Sequence, residues 1–114
     1  MTIFMSYYGN IKPKDINIEK CVSISITRPI PLPVLRELVP SPKVFKSRSN
    51  PDEYTKLYYE QLSKLDPYIV LNSIYELVGN NAVLLCWDGP GKFCHRYLVA
   101  KWIYYHTGVV VQEL

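Results

Sequence analysis

Cys86, Cys94, His95 and Arg96 are the residues of this chain whose types and spacing suit chemistry. A thiol beside an imidazole and a guanidinium, at the start of a helix, favours its thiolate, because backbone N–H groups at a helix start point outward and attract negative charge. Cys94 is therefore the candidate nucleophile and His95 the candidate general base. Arg96 and Arg28 are candidate clamps for a phosphate or carboxylate, which a guanidinium can hold through two parallel hydrogen bonds. Each residue also has a plainer reading. Buried cysteines commonly act as small hydrophobes, which suits Cys86 at the tail of an apolar strand and applies to Cys94 as well. His95 fits a hydrogen-bonding anchor of its loop as well as it fits a base. Asp88 is either an acid/base group or a turn residue that satisfies backbone N–H groups. Helical neighbours point about 100° apart, so Cys94, His95 and Arg96 cannot all aim at one atom.

Established loop motifs do not match. A tyrosine-phosphatase loop needs Cys, five residues and Arg. Here Lys92 stands six places after Cys86, and Arg96 only two after Cys94. Gly89-Pro90-Gly91 lacks the third glycine of a dinucleotide loop, and Pro90 removes an N–H that such loops use. Zinc would need a ligand beyond Cys86, Cys94 and one His, and there is no Cys-x₂-Cys unit. The sequence therefore predicts no metal site and implies no cofactor.

The elements that position these residues follow from hydrophobic period and turn signals. Residues 2–8 read as a first strand closed by Gly9-Asn10. From Cys21 to Thr27, Val22, Ile24 and Ile26 alternate with Ser23, Ser25 and Thr27, a strand with one apolar face. Prolines 29, 31, 33, 40 and 42 then forbid a long regular element and leave room for a turn of helix at Pro33–Leu38. Asn50-Pro51-Asp52-Glu53 is a capped helix start, with Tyr54, Leu57, Tyr58, Gln61 and Leu62 at helical spacing. Asp66-Pro67 repeats that signal, and the second helix runs to about Val78 before Gly79. Ala82–Trp87 is a doubly buried strand. Lys92 to His106 reads as a largely buried helix whose last turn holds His106 as a dipole partner, and Val109–Glu113 as the last strand. The predicted fold is one three-layer, Rossmann-like α/β domain over residues 1–114. It has a small, mainly parallel sheet of about four strands and helices on both faces.

In such a sheet, ligands bind beyond the carboxyl ends of the strands. That rim should gather Tyr7, Arg28, Cys86, Asp88, Cys94, His95 and Arg96. Tyr54 and Tyr58, four apart on one helix face, are expected to join them. Ten tyrosines in 114 residues is a high count, and Tyr rings suit wet clefts and interfaces.

Net charge is +3. Residues 1–50 carry eight Lys/Arg against three Asp/Glu, and residues 51–114 carry five against seven. The basic front half can steer an anionic ligand or simply be solvated. No helix carries clustered Lys/Arg, which argues against double-stranded DNA. Three cysteines without paired spacing argue against a disulfide framework and for a reducing compartment. The N-terminus lacks the pattern of a signal peptide, and no apolar run approaches the roughly 20 residues of a membrane span. A cytoplasmic protein without a membrane partner is expected.

The segments Leu84-Leu85-Cys86, Phe93-Cys94-His95-Arg96 and Ala100-Lys101-Trp102, with Gly108 and a final strand, resemble the family known as domain of unknown function 488. Tyr7-Tyr8-Gly9-Asn10 and Ile24-Ser25-Ile26-Thr27-Arg28 add to the resemblance, which covers nearly the whole chain. It implies a compact α/β domain with a cleft around Cys86, Cys94, His95 and Arg96. Trp87 stands where the family often has an acid, so Asp88 would have to substitute for it. Three functions are compatible with these features. The first is binding of a phosphorylated or nucleotide-like small anion at the strand ends. The second is a Cys/His-dependent enzyme acting on a nucleotide or nucleic-acid base. The third is a small viral or bacterial regulator that meets a partner protein through the Pro-rich segment 29–42 and exposed tyrosines.

Overall fold

A computed structural model describes residues 1–26, 30–87, 89 and 93–114. Four parallel strands, β1 (Ile3–Tyr7), β2 (Cys21–Ser23), β3 (Ala82–Cys86) and β4 (Val111–Glu113), form one sheet in the order β2-β3-β1-β4. Ile3 pairs with Ala82 and Tyr7 with Cys86, while Ser23 pairs with Leu85. Register therefore brings the ends of β1, β2 and β3 to one rim. The α-helices are α1 (Pro42–Lys46), α2 (Pro51–Leu62), α3 (Pro67–Val78) and α4 (His95–Thr107).

Alternation along the strands separates two cores. Ile3, Met5, Val22, Ile24, Ala82, Leu84 and Cys86 face the α-helices. There, α4 lies across β3, β1 and β4, and α3 across β2 and β3. Cys21, Val83 and Leu85 point to the opposite face, where the 3₁₀ turn Tyr8–Asn10 and the irregular chain around Ile11, Ile16 and Ile30–Leu32 cover them. The fold is the expected α/β architecture with unequal outer layers: the second face carries a 3₁₀ turn and coil where α-helix was foreseen. The same alternation explains why β3 is buried at every position.

Caps set the helix starts. Asn50 Oδ1 accepts from the Glu53 N–H at 3.2 Å and Asp66 Oδ1 from the Tyr68 N–H at 2.9 Å, each with proline at the first helical position. Ser41 and Pro42 repeat that device to start α1, a short helix the sequence reading passed over among the prolines. Gly79 and Gly108 close α3 and α4 at φ +76° and +75°, backbone that L side chains rarely adopt.

Three boundaries differ from expectation. β2 ends at Ser23. Ser23 then bridges to Val34, and the Ile24 N–H still reaches the Leu85 carbonyl. Ile26, expected on the buried face, is exposed because the chain has left the sheet. Trp87, expected to end β3, lies beyond it with 55% of its surface exposed. α4 begins at His95, not Lys92, with Cys94 in extended backbone as its N-cap.

Candidate functional site

The rim gathers most of the expected residues and divides them. Tyr7 and Cys86 end paired strands, and Cys94, His95 and Arg96 enter from the start of α4. Arg28 and Asp88 lie outside the described residues.

A cleft of about 450 Å³ opens at the β2–β3 side of the rim. Phe45, Tyr54, Trp87 and Phe93 contribute its aromatic rings, and Cys94 and His95 lie in its wall with Ser25, Ile26, Pro40 and Arg48. The Tyr54 and Phe93 rings meet edge to face at 5.2 Å. The Arg48 guanidinium lies over Phe45, 4.3 Å from the ring centroid, and donates to the Phe45 carbonyl at 3.1 Å. Phe45, Arg48 and Pro40 were not anticipated. The Ser41-Pro42 helix start was the signal for Phe45, which lies in α1, while Arg48 follows just after the Ser47 cap.

His95 is buried, with Nε2 against the carbonyl oxygen of Ile24 and Nδ1 3.8 Å from the Cys94 sulfur. A carbonyl only accepts, so in the neutral ring Nε2 carries the hydrogen and the Nδ1 lone pair faces the Cys94 sulfur. The Tyr58 ring stands edge-on to the imidazole at 5.5 Å. His95 thus anchors the rim through Ile24, and that anchor turns Nδ1 toward the Cys94 sulfur.

Tyr58, expected at the ligand, is instead fully buried and donates its hydroxyl to the Leu38 carbonyl at 2.6 Å. Burial, then the neighbouring Tyr54, pushes its pKa well above the ordinary tyrosine value. It is a support beneath the cleft, while Tyr54, one turn earlier on α2, keeps contact with it.

Arg96 also departs from expectation. It is 1% exposed and turned toward β1 and β4, away from the cleft. Nη1 donates to the Cys86 sulfur at 2.9 Å, and Nη2 to the Tyr97 hydroxyl at 2.9 Å and to Glu113 Oε2 at 3.2 Å. The Tyr97 hydroxyl donates to the same carboxylate oxygen at 2.5 Å. The Tyr97 and Tyr7 rings lie 4.5 and 5.7 Å from the guanidinium carbon. Burial, reinforced by Glu113 and opposed by Arg96, raises the Tyr97 pKa. The guanidinium charge is thus matched by a carboxylate and bounded by rings, so Arg96 props the rim.

The sulfurs of Cys86 and Cys94 are joined as a disulfide across the end of β3 and the cap of α4. The cysteine count had argued against such pairing. The fold brings them together because strand end and helix start share the rim. Cys21 is free and buried on the other face, where desolvation pushes its thiol up to about 11. Among the described residues, no group of three or more His, Cys, Asp or Glu side chains could hold a metal, and no helix is long and apolar enough to cross a membrane.

A second hollow, about 810 Å³, lies along α4 between Tyr59, Trp102, Tyr104, Tyr105 and His106. It is larger but contains no cysteine and is remote from the Cys94–His95 pair, so the chemical argument stays with the rim cleft. Compared with protein-family models, curated proteins and solved structures, the chain matches none.

Proposed function

We propose that the rim cleft binds a small anionic ligand with a planar ring, of the nucleotide class. The observation that carries this reading is the ring of Phe45, Tyr54, Trp87 and Phe93 with Arg48 beside it. Stacking of a base on an aromatic side chain contributes about 1–3 kcal/mol, and a guanidinium pairs with phosphate or carboxylate. The cleft volume of about 450 Å³ suits one small ligand. Arg28 and Asp88 remain in this proposal as further ligand contacts on their sequence positions alone. Membership of the family known as domain of unknown function 488 stays part of this proposal on the Cys86…Cys94-His95-Arg96 spacing, and a cytoplasmic location is proposed with it.

A second reading follows from His95. With Nδ1 facing the Cys94 sulfur, the imidazole can take the thiol proton once the bond to Cys86 is reduced and leave a thiolate at the cleft wall, the arrangement of a cysteine nucleophile with its base. A ligand stacked on Phe93 would lie beside that sulfur, so an enzyme acting on a nucleotide or base is the natural extension of the binding reading.

The test is thermal shift with a panel of nucleoside mono- and diphosphates, nucleosides, ribose phosphate and inorganic phosphate. The reading expects stabilisation by compounds that carry both ring and phosphate, and its loss in Arg48→Ala and Phe93→Ala. A panel that leaves the melting temperature unchanged rejects it.

A further inference from the structure

We propose that Cys86 and Cys94 form a redox-active pair that exchanges with low-molecular-weight thiols and disulfides, with Cys94 as the sulfur that meets the reagent. The paired sulfurs differ in access and in partners. Cys94 lines the cleft, whereas Cys86 lies behind it with no exposed surface. Arg96 Nη1 donates to the Cys86 sulfur at 2.9 Å, and His95 Nδ1 faces the Cys94 sulfur. A bridge that served only to staple the fold would need neither partner. Thiol–disulfide exchange uses both, because its rate depends on which sulfur is attacked and on how well the leaving sulfur carries negative charge.

The reaction balances in both directions. In reduction, an incoming thiolate attacks the Cys94 sulfur, and the Cys86–Cys94 bond breaks. Cys86 leaves as a thiolate stabilised by the Arg96 guanidinium. His95 Nδ1 takes the proton of a second small thiol, whose thiolate attacks the outer sulfur of the mixed disulfide and expels Cys94; the Cys94 thiolate then takes that proton from His95. The products are the Cys94 thiol, the Cys86 thiolate held by Arg96 and one small disulfide, with two electrons passed to the protein and the first incoming thiol's proton released to solvent. In oxidation, Cys94 gives its proton to His95 Nδ1 and attacks the small disulfide, releasing one thiolate. Cys86 thiolate then attacks the Cys94 sulfur and expels the second. Two electrons pass to the small disulfide; one released thiolate takes the proton held on His95 and the other takes one from solvent.

The exchange is coupled to the cleft by chain connectivity. Trp87 and Phe93 are the residues just inside the two cysteines, and both rings line the cleft. The bond ties the ends of that segment together and takes the Cys94 sulfur out of use as a nucleophile. The exchange itself requires no nucleotide and goes beyond the ligand-binding reading.

The test is to equilibrate the full chain in glutathione buffers from fully reduced to fully oxidised, quench with an alkylating reagent, unfold, and count labels by mass. The expected result is a conversion between three and one labelled cysteines in a single two-electron step, with the remaining label on Cys21 and no disulfide between chains. Three labels in every buffer overturn the proposal, as does one label in every buffer including the fully reduced one. A second measurement assigns the sulfurs. In Cys86→Ala, oxidised glutathione should transfer one glutathionyl group to Cys94 in the folded protein and release one glutathione thiol, about tenfold more slowly when His95→Gln is added. In Cys94→Ala, Cys86 should stay unmodified. Equal modification of Cys86 and Cys94 contradicts the assigned order. No nucleotide enters either measurement, so failure here leaves the ligand-binding reading standing, and the reverse holds.

Discussion

On one side of the Cys86–Cys94 contact the rim closes around a guanidinium, and on the other it opens as an aromatic cleft. Adjacent residues of one helical turn feed the two sides: Arg96 enters the closed half with Glu113, Tyr97 and Tyr7, and His95 the open half with Cys94 and Ile24. The closed half satisfies its charge internally. The open half leaves rings and one oriented imidazole facing a hollow. A Cys-His-Arg string is thus two devices separated by the helical angle, a prop and a candidate reactive pair.

The comparison is broken or sharpened by variants on either side. The largest effect should come from Arg96→Leu. Arg96→Leu removes hydrogen bonds from a charged donor to Cys86, Tyr97 and Glu113, each contributing about 1.5–3 kcal/mol when buried, and because the Glu113 carboxylate left behind is partly solvated the expected loss is about 3 kcal/mol. Chemical denaturation checks it. A loss below about 1 kcal/mol would mean that the closed half carries no load.

The thiols give the next contrast. Cys21 is buried and donates to the Asn17 carbonyl at 3.5 Å, and burial pushes its thiol up to about 11 from 9.0. A raised folded-state pKa gives stability that is intact below the unfolded value and lost as pH rises through the folded one. Stability should therefore fall between about pH 9 and 11, with up to about 3 kcal/mol traceable to this group. Denaturation of Cys21→Ala over the same range should show a shallower decline. Parallel curves would deny that burial controls this thiol.

Tyr58→Phe should cost about 2 kcal/mol, because the Leu38 carbonyl loses its buried donor. Nucleotide binding should survive in the folded fraction if Tyr58 only supports the cleft, and thermal shift reads both effects. The smallest stability change, within about 0.5 kcal/mol, is expected for Arg48→Ala and Phe93→Ala. Those two variants should nonetheless lose ligand stabilisation.

Much of the fold was legible because its signals are local. The Asn50-Pro51 and Asp66-Pro67 starts, the apolar run 82–86 and the Gly108 stop each fixed an element within a few residues. The convergence of Tyr7, Cys86 and Cys94 followed from a parallel sheet having one carboxyl rim. The rest depended on long-range geometry. Nothing near Arg96 in sequence announces Glu113, which β4 supplies from the far edge. Nothing near Tyr58 announces the Leu38 carbonyl. Phe45 reaches the cleft from a five-residue helix, and Arg48 from the turn after it, inside a stretch whose prolines read as coil. The disulfide was missed because spacing was weighed without the rim that joins its ends.

In the ligand-binding reading the cleft, and not the Arg96 side, receives the ligand. Trp87 is a reporter built into it, since Trp102, the other tryptophan, is buried against α4's neighbours. Titrating the folded protein with nucleoside monophosphates while following tryptophan fluorescence should give saturable quenching that disappears in Trp87→Phe, with Trp102 unresponsive. Quenching that persists in Trp87→Phe, or none at any concentration up to the millimolar range, would contradict it.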